Sequence, residues 1–190
     1  LQRRRQRQMC IRDRDILMIS NSNIIALTMG DPSGVGTEIA IRAKIKKIKK
    51  PDFFIIHDID FVKKILKKMK SKLKVREISS PSEVKKLPKN YLAVLPIKIS
   101  KNTQLGKKNL SNVKSILTSI DLAVKLAKNG EVAAIVTNPI NKDVIGKKVK
   151  NFKGHTEYLA KKDRTNDQLM MMMNKNLKTI PLTTHIAVSY

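Results

Sequence analysis

The chain is short of the residues that staple small folds or stack on nucleic-acid bases. Its 190 residues include one cysteine, no tryptophan and only 4% aromatics. A single thiol, Cys10, excludes an internal disulfide and suits a reducing, cytoplasmic setting. Cys10 lies in a basic stretch with no nearby histidine, so nothing recommends it as a nucleophile. No apolar run reaches the roughly 18 residues that a membrane span needs, and no membrane partner is expected. Acids are scarce too: 15 Asp and Glu stand against 40 Lys and Arg, a formal net charge of +25.

That charge invites a nucleic-acid reading, but its distribution argues against one. Lys63, Lys64, Lys67, Lys68 and Lys70 alternate with Val62, Ile65, Leu66 and Met69 in the manner of a solvated face on an amphipathic helix. Few rings are available to stack on bases, and a bias toward Ile, Lys and Asn follows from AT-rich coding sequence without any functional demand. A basic nucleic-acid-binding domain is therefore the remote alternative, and salt-sensitive DNA binding by residues 15–190 would favour it. The same field would modestly attract a phosphorylated small substrate.

What is present is enough for a globular core, with 41% hydrophobic residues. Residues 1–14, LQRRRQRQMCIRDR, prefer Arg where the rest prefers Lys, and contain neither serine nor an apolar signal region. MCIRDR resembles translated sequencing-adapter read-through, so residues 1–14 are read as a non-native leader. The other end, Tyr190, follows directly on an informative motif, and the chain is read as truncated.

From Ile24 onward strand and helix patterns alternate. Ile24–Thr28, Phe53–Ile56, Val75–Ile78, Leu92–Leu95 and Val132–Val136 read as strands, the last as a central one. Helices are expected after Gly36, with Ile41, Ile45 and Ile48 on one face, over 59–70, and over Asn112–Lys128. The last has an apolar stripe of Val113, Ile116, Leu117, Ile120, Val124 and Ala127 and a stop at Gly130. Leu169–Met173 and Leu177–Leu182 suggest a hairpin turning at Asn174–Asn176, its methionines in a core. The rhythm predicts an α/β fold with a largely parallel sheet, whose ligands bind beyond the carboxyl ends of strands.

Several polar motifs fall at such ends. Met29–Glu38, MGDPSGVGTE, joins a strand to a helix; its glycines permit a tight turn, and a helix start favours an anion. A dinucleotide fingerprint would need a third glycine at Ile39, and the Gly-Lys-Ser/Thr ending of a P-loop is missing, so a structural turn is the plainer reading. Asp58 and Asp60 imitate a ribose-binding acid only weakly. Of three histidines, two lie in short polar motifs, Gly154-His155-Thr156-Glu157 and Thr183-Thr184-His185. The residues alone leave open whether these serve structure, substrate or metal.

Together MGDPSGVGTEIA, GEVAAIVTNPINKDVI, FKGHTEYLA and TTHIAV occur in the order and approximate spacing of one family. From about Ile24 to Val188 the chain resembles the amino-terminal half of 4-hydroxythreonine-4-phosphate dehydrogenases of pyridoxal phosphate biosynthesis. Thr37 departs from the family's usual proline, but serves a helix start well. The resemblance implies a two-domain architecture like that of isocitrate and isopropylmalate dehydrogenases, with residues 15–140 in the first α/β domain and 141–190 beginning the second.

It also implies oxidation and decarboxylation of 4-phosphohydroxy-L-threonine to 3-amino-2-oxopropyl phosphate, with NAD or NADP and a divalent metal (Zn, Mg or Co). His155 and Thr156 match the substrate-binding pair, and His185 the first of three metal ligands, the others lying beyond Tyr190. Ligands come from both subunits of a homodimer. A paralogue acting on a four-carbon sugar-acid phosphate, erythronate or threonate 4-phosphate, is the alternative. A metal on the alcohol oxygen would favour alkoxide and then enolate; no general base singles itself out. With one of three metal ligands, residues 15–190 alone are expected not to turn over substrate.

Overall fold

The computed structural model describes residues 22–46, 51–165 and 168–181. Residues 1–14, Ile48 and His185 therefore lie outside the described residues. Five strands, β1 (Ile24–Leu27), β2 (Asp52–His57), β3 (Lys74–Glu77), β4 (Tyr91–Pro96) and β5 (Ala134–Val136), form one sheet in the order β3-β4-β2-β1-β5. Every pairing is parallel. The α/β expectation holds, and Leu27 sits level with Ile55 on one side and Val136 on the other. The carboxyl ends of β1, β2 and β5 thus open onto the same edge.

Alternation along the strands separates two cores, because successive side chains leave opposite faces. Phe54 and Ile56 join Ile24, Ala26, Ala93 and Leu95 against Ala123 and Leu126 of α3 (Val113–Lys128). Phe53 and Ile55 join Leu92 and Val94 on the other face. There they meet Ile41 of α1 (Gly36–Ile45) and Val62, Ile65 and Leu66 of α2 (Ile59–Lys68). α2 behaves as its sequence demands: Asp58 accepts from the amides of Asp60 and Phe61, capping the helix, and the lysines face water. α3 follows a 3-10 turn at Leu110–Asn112, and its buried stripe runs Val113, Ile116, Ile120, Ala123 and Leu126. That places Ala123 and Leu126 inward where Val124 and Ala127 were expected, since 3.6 residues per turn makes any straight stripe drift.

Two expectations need correcting. The Val132–Val136 run is not central: only Ala134–Val136 is strand, and it is the last strand of the sheet among the described residues. Val132 is buried, but Val136 is exposed. Apolar composition reports a preference for burial, and whether neighbours exist to satisfy it is a non-local matter. The hairpin exists, but as a two-residue antiparallel ladder, β6 (Met172–Met173) with β7 (Lys178–Thr179). Asn174 turns it by accepting from the amides of Asn176 and Leu177. Its methionines are exposed, 46–64% from Met170 to Met173, and do not form core among the described residues.

Candidate functional site

Two polar regions gather beyond the strand ends, and they differ in how completely their groups are paired. The first joins the MGDPSGVGTE loop to the TNP loop after β5. Asn138 donates its side-chain amide to the Thr28 carbonyl at 3.0 Å, and its backbone N–H to the Thr28 hydroxyl at 3.2 Å. The Asp31 amide donates to the Pro139 carbonyl at 2.9 Å, and the Met29 amide to the buried Ser119 hydroxyl of α3 at 2.8 Å. Gly30 takes φ +68°, and a β-carbon there would sit 2.6 Å from the Asn138 β-carbon and 2.7 Å from the Pro139 oxygen. Glycine is required here by close approach and by backbone conformation alike. The loop is a clasp between two strands.

The third histidine completes the clasp. His57 ends β2, is buried, and stacks on Phe61 with ring centroids 5.6 Å apart. Its Nδ1 accepts from the Asp58 amide at 2.8 Å, so Nε2 carries the proton and donates to the Thr37 hydroxyl at 3.0 Å. Burial lowers its pKa to about 4, against the opposing charge of Asp58. Thr37, in the first turn of α1, thus has a partner in the sheet. Asp58 is occupied as a helix cap, and Asp60 pairs with Lys98 at 3.3 Å, so neither is free for a ribose. Within the clasp only the Ser33 hydroxyl is buried without a partner.

The second region lies at the head of α5 (His155–Asp163), reached through α4 (Lys142–Gly146). The Asn141 side chain accepts from the Val144 amide at 3.2 Å and starts α4. Val144 and Ile145 are buried beside Met29, Val113 and Ile116. α5 is tied to α3 through Asp121, which accepts from the Tyr158 hydroxyl and from Lys162, each at 2.8 Å. Burial and this bond to Asp121 raise the Tyr158 pKa. Lys128 of α3 adds an ion pair to Asp163 at 3.1 Å. Most of that pair is exposed, so it contributes little.

On this anchored helix His155 is half-buried, and its Nε2 is enclosed without a hydrogen-bond partner. Leaving such an atom unpaired costs about 1–3 kcal/mol. Burial, and secondarily the charge of Lys142, lower the imidazole pKa, so the ring is held neutral. Thr156 follows in the first turn, exposed. His155 and Thr156 are therefore together at one helix end. Among the described residues no group of three His, Cys, Asp or Glu side chains gathers to hold a metal, so these residues do not by themselves compose a cation site. Lys142 was visible in the TNPINK motif, but sequence separation gave no sign that it would face His155. An open apolar groove of about 660 Å³, lined by Ile25, Leu27, Ile39, Val136 and Pro139 among others, borders the clasp and excludes both His155 and Lys142.

A parallel α/β sheet with a rigid clasp at its switch point and an underpaired helix end beyond it is the frame of a small-molecule enzyme domain. The pyridoxal phosphate biosynthetic protein PdxA family model matches residues 49–190, and the chain belongs to that family. It is 33% identical over 172 residues to a 4-hydroxythreonine-4-phosphate dehydrogenase of Trichlorobacter lovleyi, covering 87% of this chain and 51% of the relative. The corresponding protein of Pseudoalteromonas translucida is 28% identical over 166 residues, covering 87% and 50%. The crystal structure of the Klebsiella pneumoniae 4-hydroxythreonine-4-phosphate dehydrogenase superposes with a TM-score of 0.79 at 29% identity, over 88% of this chain and 52% of that one. The chain spans about half the length of these relatives.

Proposed function

We propose that the chain is the amino-terminal half of a 4-hydroxythreonine-4-phosphate dehydrogenase, oxidising 4-phosphohydroxy-L-threonine with NAD or NADP and releasing carbon dioxide to give 3-amino-2-oxopropyl phosphate. The observation that carries this reading is the head of α5, where His155 presents a neutral ring with an unpartnered Nε2 beside Thr156. The exposed Thr156 hydroxyl suits the hydroxyl and oxyanion groups of such a substrate, the His155 ring lies next to it, and the Asp121 tie fixes the helix that carries both. A divalent metal, Zn, Mg or Co, would stabilise developing charge on the alcohol oxygen, with His185 as one ligand. The remaining ligands would come from later sequence and from a second subunit of a cytoplasmic homodimer. Residues 15–140 would belong to a first α/β domain and 141–190 to the start of a second.

The test is metal-dependent reduction of NAD or NADP by the 190-residue chain and by the polypeptide extended along its reading frame beyond Tyr190. The extended protein should turn over 4-phosphohydroxy-L-threonine, and the 190-residue chain should not. Turnover of erythronate or threonate 4-phosphate alone would transfer the function to the sugar-acid paralogue.

A further inference from the structure

We propose that Asp121 is a positioning residue for the substrate site: it latches α5 to α3, and release of the latch uncovers His155. The inference rests on the dehydrogenase reading above for what His155 meets, but the latch itself rests on geometry. With α5 seated on α3, His155 Nε2 is closed off from solvent and has no hydrogen-bond partner. Neither water nor a substrate reaches that atom until something moves. The unpaired nitrogen also penalises the closed arrangement, because water would satisfy it in an open one.

The element placed to move is α5. Of its nine residues only Ala160 is buried. α4, just before it, is fixed by Val144 and Ile145 in a core with Met29, Val113 and Ile116. Val149 and Phe152 of the connection still pack against that core, but beyond Gly154 the attachment is mainly polar. Tyr158 and Lys162 are four residues apart, neighbours on one helix face, and both donate to Asp121 at 2.8 Å. Farther along α3, Lys128 donates to the Lys162 carbonyl and pairs with Asp163, each at 3.1 Å. His155 precedes Tyr158 by three residues, which sets it on the stripe that carries the latch. Closing the latch therefore turns His155 inward. Lys162 and Asp121 keep side-chain exposures of 37% and 40%, so water competes for both and the hold is modest. A helix with little buried apolar surface and solvent-accessible ties opens locally while the sheet stays folded.

Diethyl pyrocarbonate, which acylates neutral imidazole, reports the opening when added to the 190-residue chain at about pH 7.5. Mass spectrometry reads the rates at His155 and at His57, whose burial at the end of β2 makes it the reference for global unfolding. In the unaltered chain His155 should react much faster than His57. Asp121→Ala, which keeps α3 helical, should raise the His155 rate about tenfold by removing two charge-assisted bonds. Asp121→Asn retains an acceptor for the Tyr158 hydroxyl and should fall between. Ile65→Val, in the core on the opposite face of the sheet, weakens the whole fold and should speed His57 while leaving His155 unchanged. Equal His155 rates in the unaltered chain and in Asp121→Ala overturn the proposal. So does a His155 rate that rises with that of His57 in Ile65→Val, because the ring would then be uncovered only by global unfolding. If Asp121 governs the His155 rate but 4-phosphohydroxy-L-threonine does not protect His155 in the protein extended beyond Tyr190, the latch stands and the dehydrogenase reading falls.

Discussion

The clasp at the ends of β1 and β5 and the head of α5 are both polar, both half-sheltered and both built from motifs of one family, yet they are opposites in pairing. In the clasp Asn138, Thr28, His57 and Thr37 satisfy one another, and only the Ser33 hydroxyl is left over. At α5 the His155 nitrogen has no partner, and Lys142 has no counter-ion among the described residues. A buried network with every valence met stabilises and specifies a fold. One with valences left open forgoes stability, and a site for a ligand is a sufficient physical reason to do so. The comparison predicts that damage to the clasp appears as unfolding and damage to the α5 head as lost binding.

Gly30→Ala should break the first region most severely. The side chain would overlap Asn138 and Pro139 at an unfavourable backbone angle, costing about 3–5 kcal/mol from strain and overpacking together. Gly130→Ala also has positive φ, +71°, but meets nothing within 4 Å, so urea unfolding should show a loss of only about 1–2 kcal/mol. Equal losses at the two glycines would show that the contact with the TNP loop contributes nothing.

His57 offers the next largest effect, and its sign is determined. Unfolded, the imidazole takes up a proton near 6.5; folded, it resists until about 4. The unfolded state binds more protons between those values, so stability falls as pH drops through that window. At about 1.4 kcal/mol per pH unit the loss is about 3 kcal/mol in total. Above pH 6.5 this contribution is fully present. In His57→Gln the slope between pH 6.5 and 4 should flatten, as measured by chemical denaturation at a series of pH values. An unchanged slope would place the responsible proton elsewhere.

Smaller changes sharpen the α5 side of the contrast. Tyr158→Phe removes the hydroxyl bonded to Asp121 and should lower stability by about 1 kcal/mol, loosening the helix that carries His155. His155→Ala should not lower stability by more than about 1 kcal/mol, because the packing lost with the half-buried ring is offset by relief of its unpaired nitrogen. It should nevertheless weaken binding of 4-phosphohydroxy-L-threonine by the protein extended beyond Tyr190. A large loss of stability in His155→Ala, by thermal or urea unfolding, would make the residue structural and end the distinction between the two regions.

The candidate site was legible in the sequence only in part. His155 and Thr156 are adjacent in the chain, so their placement at one helix end needed no tertiary information. Asp58 read as a candidate ribose ligand until the first turn of α2 absorbed its carboxylate. His57 gave no local signal, because its role depends on Thr37, twenty residues away. Lys142 lies within the TNPINK motif, but its proximity to Gly154 follows from how α4 and α5 pack on α3. The methionine run read as core on composition alone, and its exposure shows that hydrophobicity without neighbours does not bury a side chain.

Sequence by itself determined which segments become the strands and helices of the main sheet and which loops carry polar groups, while strand lengths such as that of β5 were not set locally. Those features depend on side-chain period, caps and glycine, all of which act within a few residues. Tertiary structure decided the order β3-β4-β2-β1-β5, the outermost position of β5 among the described residues, and the division of two similar polar regions into a clasp and an open-valenced helix end. Those outcomes depend on partners tens to more than a hundred residues apart, such as Thr28 with Asn138, whose meeting is set by packing across the whole sheet.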